Sequence, residues 1–367
     1  MMVARSRPLF DEDHEAYRAS VRRFLVEAVV PHLDAWRIAG RVPDDVLAAA
    51  GDQGFLGTAA PEELGGGGVD DLRFTAVLVE ETAAVGATGL ALTFAMHAGV
   101  CLPLLLEHAD AAQQASWVPA LASGQAIGTV AGASAPIAAE LLDAVLHVDA
   151  VIDGVTAGVL AGLVLTPVVV DGDVRVLLLP TDEDLVSRRH VVDSLAARDA
   201  GQADLVIAGV VDAACLVPGA DDAVGQVMRD LDLWSAVLGV AAARAVLDLT
   251  LDYVRERKVF GRPLAEFENT RHVLAEIAAG IESAQLFVDT ALEHRAAGTL
   301  TAAEAAVARL GAGSIHDRSV DQGMQLHGGY GYMREYPISH AFADARYLRN
   351  QGSLPGALDA VAAGLGI

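Results

Sequence analysis

Gln325-Leu326-His327-Gly328-Gly329-Tyr330-Gly331-Tyr332 runs directly into Met333-Arg334-Glu335-Tyr336-Pro337. Adjacent glycines let another group approach the backbone closely, and the Gln325 amide offers both a donor and an acceptor. Taken alone, the run would also serve as an ordinary turn ending a helix. Earlier in the chain, Arg255-Glu256-Arg257-Lys258-Val259-Phe260-Gly261-Arg262-Pro263 closes a long helical segment. Arg257, in its last turn, can meet a phosphate with a forked set of donors. Phe260 can pack on an aromatic ring system, while Gly261 lets the chain turn sharply. The plainer alternative is a cation complementing the helix dipole beside a core aromatic.

The 367 residues are 53% hydrophobic and 20% charged, which suits packed domains with a sizeable core and excludes disorder. A net charge of −24 argues against nucleic acid or an anionic membrane surface as partner. Any phosphate-bearing ligand must therefore meet a local positive pocket. Cys101 and Cys215 lack metal spacing and read as buried thiols of a reducing cytosol. The beginning, MMVARSRPLFDEDHE, has no apolar signal-peptide core, so a cytoplasmic location is expected. The uncharged run Gly154 to Val170 contains Pro167 between Asp153 and Asp171; buried strands fit it better than a membrane span.

The pattern along the chain predicts an α+β fold, mostly α. Residues 1–124 read as a helical domain, with helices from Asp11 (interrupted by Pro31), Pro43 to Gly51, Asp70 to Val85, Thr88 to His108, and Ala111 to Ser123. Residues 125–218 read as a small β domain. There Asp171-Gly172 joins two apolar runs as a hairpin, and Leu205–Ile207 and Val210–Val211 add strands. Residues 219–367 return to helical periodicity as an antiparallel bundle, in segments 222–257, 267–297, 301–326, 341–348 and 354–363. Gly261 and Gly298 are the expected helix stops.

Helices, strands, then helices, carrying both opening motifs, resembles the acyl-CoA dehydrogenase family over almost the whole length. Trp36 to Pro61, Pro61-Glu62-Glu63-Leu64-Gly65-Gly66 and Trp117 to Gly124 add to the likeness. The resemblance implies FAD as cofactor, held across a subunit interface by Arg257, Phe260, Gln325, Gly328 and Gly329. It also implies an acyl-CoA thioester or carrier-bound acyl group as substrate, in lipid, steroid or polyketide metabolism, and an electron-transfer acceptor as partner.

The resemblance has gaps. Members of the family take a proton from the substrate α-carbon with a glutamate while flavin accepts hydride from the β-carbon. Its usual place, after Asp344-Ala345-Arg346, holds Gln351, whose amide has no useful basicity. A second family position falls on Leu231, between Asp230 and Asp232. Asp232 is thus a displaced-base candidate, set against a solvated acidic helix start. The strand that would cover the flavin reads Ala157-Gly158-Val159-Leu160-Ala161-Gly162, which is poor in donors, and Glu268 stands where a glutamine is usual. Three readings follow: the base-lacking partner of a sibling subunit in a heterotetramer, a self-sufficient homotetramer using an atypical base such as Asp232, or a flavin-free scaffold.

Overall fold

Residues 7–181, 185–191, 193–351 and 353–367 are described by a computed structural model. Helix α1 (Glu12–Phe24) starts at Asp11, whose carboxylate accepts from the Asp13 and His14 amides, while the His14 ring answers the Asp11 amide. A π turn, Leu25–Val29, and a 3-10 turn, Val30–His32, precede α2 (Leu33–Ala39), so Pro31 breaks the helix as its missing N–H requires. Next come α3 (Asp44–Asp52), α4 (Leu72–Ala84), α5 (Thr88–Met96), a π-helical turn His97–Cys101, α6 (Leu102–His108) and α7 (Ala111–Ala122).

The sheet comprises β1 (Ile127–Val130), β2 (Ile137–Leu142), β3 (Val145–Val155), β4 (Ala161–Val170), β5 (Asp173–Pro180), β6 (Val186–Val191) and β7 (Ala203–Asp212). Its order among the described residues is β1-β4-β2-β3-β7-β6, with β5 also paired to β4. Leu163, Leu165, Val176 and Leu178 of β4 and β5 join the helical core, whereas Val164, Val168, Leu177 and Leu179 join a second core within the β domain. Both strand faces are covered, which is why this hairpin is apolar throughout. Asp171 and Gly172 have φ +53° and +92°, the paired left-handed turn expected of Asp-Gly. Leu205–Ile207 and Val210–Val211 are parts of one strand, β7, not two: Gly209 lies inside it with near-extended backbone.

Helices α8 (Ala220–Glu256), α9 (Glu268–Ala296), α10 (Ala302–His327), α11 (Pro337–Arg349) and α12 (Leu354–Gly364) complete the chain. Helix α11 begins four residues before the expected Ala341, because Pro337 pre-sets the first helical position. Gly298, at φ +68°, does follow α9. Gly261 does not end α8, which stops at Glu256. It turns a two-residue ribbon between Lys258–Val259 (β8) and Arg262–Pro263 (β9). The stretch Thr88–His108 and the segment Asp222–Glu256 are long and apolar enough to cross a membrane by composition. Here 89% and 67% of their most apolar windows lie buried inside the fold, so they serve as core helices.

One loop ties the three regions together. Asp199, between β6 and β7, accepts from the Gly89 and Leu90 amides at the start of α5 (3.2 and 2.8 Å). Two residues earlier, the Ala197 amide donates to Asp344 of α11 at 2.8 Å. Both carboxyls are buried.

Candidate functional site

Two places in the structure gather the sequence candidates. The first is a surface groove of about 640 Å³ between the end of α8 and the end of α10, lined by Tyr253, Arg257, Asn269, Gln325, Gly328 and Gly329, among others. Tyr253 stacks on His327 (centroids 4.0 Å apart), and its hydroxyl donates to the His327 carbonyl at 3.2 Å. The chain leaves α10 at Gly328 with φ +59° and ψ −136°, a backbone open in practice to glycine alone. A Cβ added to Gly328 or Gly329 would meet nothing within 4 Å, so the backbone here is bare.

Arg257 follows the last turn of α8 in extended conformation and lies over the Tyr330 ring at 5.3 Å. The residue is exposed. Phe260 does not pack into the core. It stands at φ +50° at the tip of the β8–β9 ribbon and is 94% exposed. Tyr332 is similarly bare at 84%. A non-glycine residue held left-handed with its ring in solvent costs stability, and such cost is commonly met at sites that bind something. An exposed arginine, uncovered glycine backbone and projecting rings suit a planar, phosphate-bearing ligand completed by a second surface.

The second place lies between the sheet and the bundle, where Gln351 and Asp232 come together through a residue the sequence did not single out. Arg309 of α10 holds Asp232 Oδ1 at 2.8 Å, the Ser353 carbonyl at 3.2 Å, and the Gln351 carbonyl. Asp230 and Asp232 are not a solvated helix start. They sit well inside α8, Asp230 buried and bridged to Arg295 at 2.6 Å, Asp232 bridged to Arg309. Burial raises the Asp232 pKa, and Arg309 opposes that rise. The Asp232 carboxylate is therefore spent on a buried cation and is poorly placed to act as a free base. Glu268, at the start of α9, is solvent-exposed.

The Gln351 side chain points at the sheet. Its Oε1 accepts from Thr156 Oγ1 at 3.3 Å, and Thr156 shares a 2.7 Å hydrogen bond with the Tyr347 hydroxyl. The Thr156 carbonyl in turn accepts from Thr129 Oγ1 at 2.7 Å. Thr156 immediately precedes the donor-poor stretch that begins at Ala157. The spacing of Thr156 from Tyr347 gave no local signal for the pair, whose members are 191 residues apart.

The profile described as Acyl-CoA dehydrogenase, N-terminal domain, matches residues 11–125, and the one for the C-terminal domain matches residues 233–352. A probable acyl-CoA dehydrogenase, YngJ, of Bacillus subtilis is 30% identical over 356 residues, covering 92% of this chain and 93% of that protein. The crystal structure of an acyl-CoA dehydrogenase from Geobacillus kaustophilus superposes with a TM-score of 0.91 at 25% identity, covering 98% and 99% of the two chains. A glutaryl-CoA dehydrogenase from Mycobacterium smegmatis, solved in complex with FADH2, gives 0.88 over 97% and 95% at 19% identity, a likeness of fold. The chain belongs to the acyl-CoA dehydrogenase family.

Proposed function

We propose that this chain is the base-lacking subunit of an FAD-dependent acyl-CoA dehydrogenase, working with a sibling chain that carries the catalytic glutamate. The observation that carries the reading is an asymmetry. Arg257, Gln325, Gly328 and Gly329 line one open groove and Phe260 projects into solvent from the adjoining ribbon, while the inward-facing positions hold an amide, Gln351, and a carboxylate committed to Arg309. In this reading the groove meets the sibling's sheet, Arg257 pairs with a cofactor phosphate, and Phe260 covers the cofactor from the far side. FAD, when bound there, supplies hydride acceptance from the β-carbon of an acyl thioester, and an electron-transfer protein reoxidises it. The sibling removes the α-proton, because among the described residues no group in this chain's own centre combines basicity with freedom from an ion pair. The presence of FADH2 in a fold relative supports the cofactor.

The test is to purify the chain alone and together with its sibling, then record flavin absorbance and acyl-CoA dehydrogenation. Flavin and turnover are expected only with both chains present. Full FAD occupancy and turnover by the isolated chain would overturn the proposal.

A further inference from the structure

We infer that Thr156, Tyr347 and Gln351 form a latch that closes this chain's own reaction centre, an inference that rests on the subunit reading above. The family resemblance implies a flat flavin against the sheet, a thioester on the flavin, and a base reaching the thioester from the bundle. Non-bonded layers approach to about 3.5 Å, so one intervening layer separates sheet from bundle by about 7 Å and two by about 10 Å. Thr156 Oγ1 is 3.3 Å from Gln351 Oε1 and 2.7 Å from the Tyr347 hydroxyl. Sheet and bundle touch directly, with no layer between these atoms.

The contact uses the Thr156 hydroxyl as both donor and acceptor. Thr156 has one hydroxyl proton, which it gives to Gln351, and its oxygen receives the Tyr347 proton. Behind the latch, Arg309 fixes the backbone by holding the Gln351 and Ser353 carbonyls, and Asp232 fixes Arg309. The Thr156 carbonyl is pinned in turn by Thr129. Residues of β1, the position just after β3, α8, α10, α11 and the segment after it thus brace a single closed contact. The centre does not fit an isoalloxazine as it stands, whereas the outward groove remains open. This chain accordingly contributes cofactor contacts in one direction only.

Two measurements on the full isolated chain test the latch. Amide hydrogen exchange of the peptide covering 345–353 is compared in the wild type, Tyr347→Phe and Thr156→Val. Loss of either hydroxyl is expected to speed exchange there at least tenfold, with α9 unchanged; equal exchange in all three overturns the latch. FAD is then titrated into wild type and the Tyr347→Ala/Gln351→Ala double variant, following quenching of flavin fluorescence. The opened variant should bind at least tenfold more tightly, and equal affinity would overturn the claim that the latch is what keeps a flat ring out. Tyr347→Phe keeps the ring and so guards against a variant that merely fails to fold. Failure of the subunit reading looks different: turnover by the isolated wild-type chain, or no flavin even with the sibling.

Discussion

Arg309 and Asp232 face each other at 2.8 Å across α10 and α8, and the arginine is only 7% exposed. A charge this deep needs its partner, since removing one member leaves the other uncompensated. Asp232→Ala should therefore destabilise the chain by about 3 kcal/mol, read from urea midpoints at neutral pH. If Asp232 were instead the catalytic base, the variant would fold normally and lose only turnover.

Phe260 contributes almost nothing to the isolated chain, because its ring lies in solvent. Phe260→Ala is expected to stay within about 0.5 kcal/mol of wild-type stability, the range for substitutions of exposed residues. In the proposed complex with the sibling chain, the same change should lower flavin content several-fold. Flavin retained at the wild-type level would separate Phe260 from cofactor binding.

Asp344 carries a pH signature. Burial, with Asp199 adding repulsion, pushes its carboxyl up to about 6. A raised carboxyl favours folding most when protonated, so its contribution is complete below the unfolded value and is lost as pH rises through about 6. The amide of Asp344→Asn can still accept from Ala197 without ever ionising. The stability of this variant relative to wild type should therefore climb between pH 4 and pH 7, by about 3 kcal/mol from the size of the shift. A flat difference across that range would mean that Asp344 ionises as freely folded as unfolded.

Gly89 sits where α5 begins beneath Asp199. A Cβ there would lie 2.5 Å from the Ala200 amide nitrogen and 2.7 Å from Asp199 Oδ1, and neither neighbour is a flexible chain end. Gly89→Ala should cost about 2–3 kcal/mol through overpacking, measured by thermal or chemical unfolding. Gly40→Ala is a useful contrast: its added methyl meets nothing, so strain from φ +82° is its main penalty.

Most helices were legible because apolar spacing and caps agree. Asp11 and Asp110 announce α1 and α7, and Asp171-Gly172 announces the β4–β5 hairpin. Strand β3 carried a readable alternation, with Leu146 and Val148 buried and His147 and Asp149 exposed, which the apolar runs nearby overshadowed. The outward groove was legible because its two motifs are local runs, although the exposure of Phe260 was not, since a phenylalanine ordinarily reads as core. Arg309 and Tyr347 escaped for a different reason. Each resembles routine helix content until the chain closes on partners 77 and 191 residues away. Long-range polar pairing leaves no periodic trace in one sequence.

The loop carrying Ala197 and Asp199 has a practical corollary for engineering. It reaches the first helical region through two amides and the bundle through a third, so no cut on either side of the sheet yields a self-contained cassette. A chimera that imports a relative's sheet must import the complementary start of α5 and the middle of α11 with it. Otherwise one buried acid, Asp199, would arrive without its amide donors, and another, Asp344, would be left behind without its own.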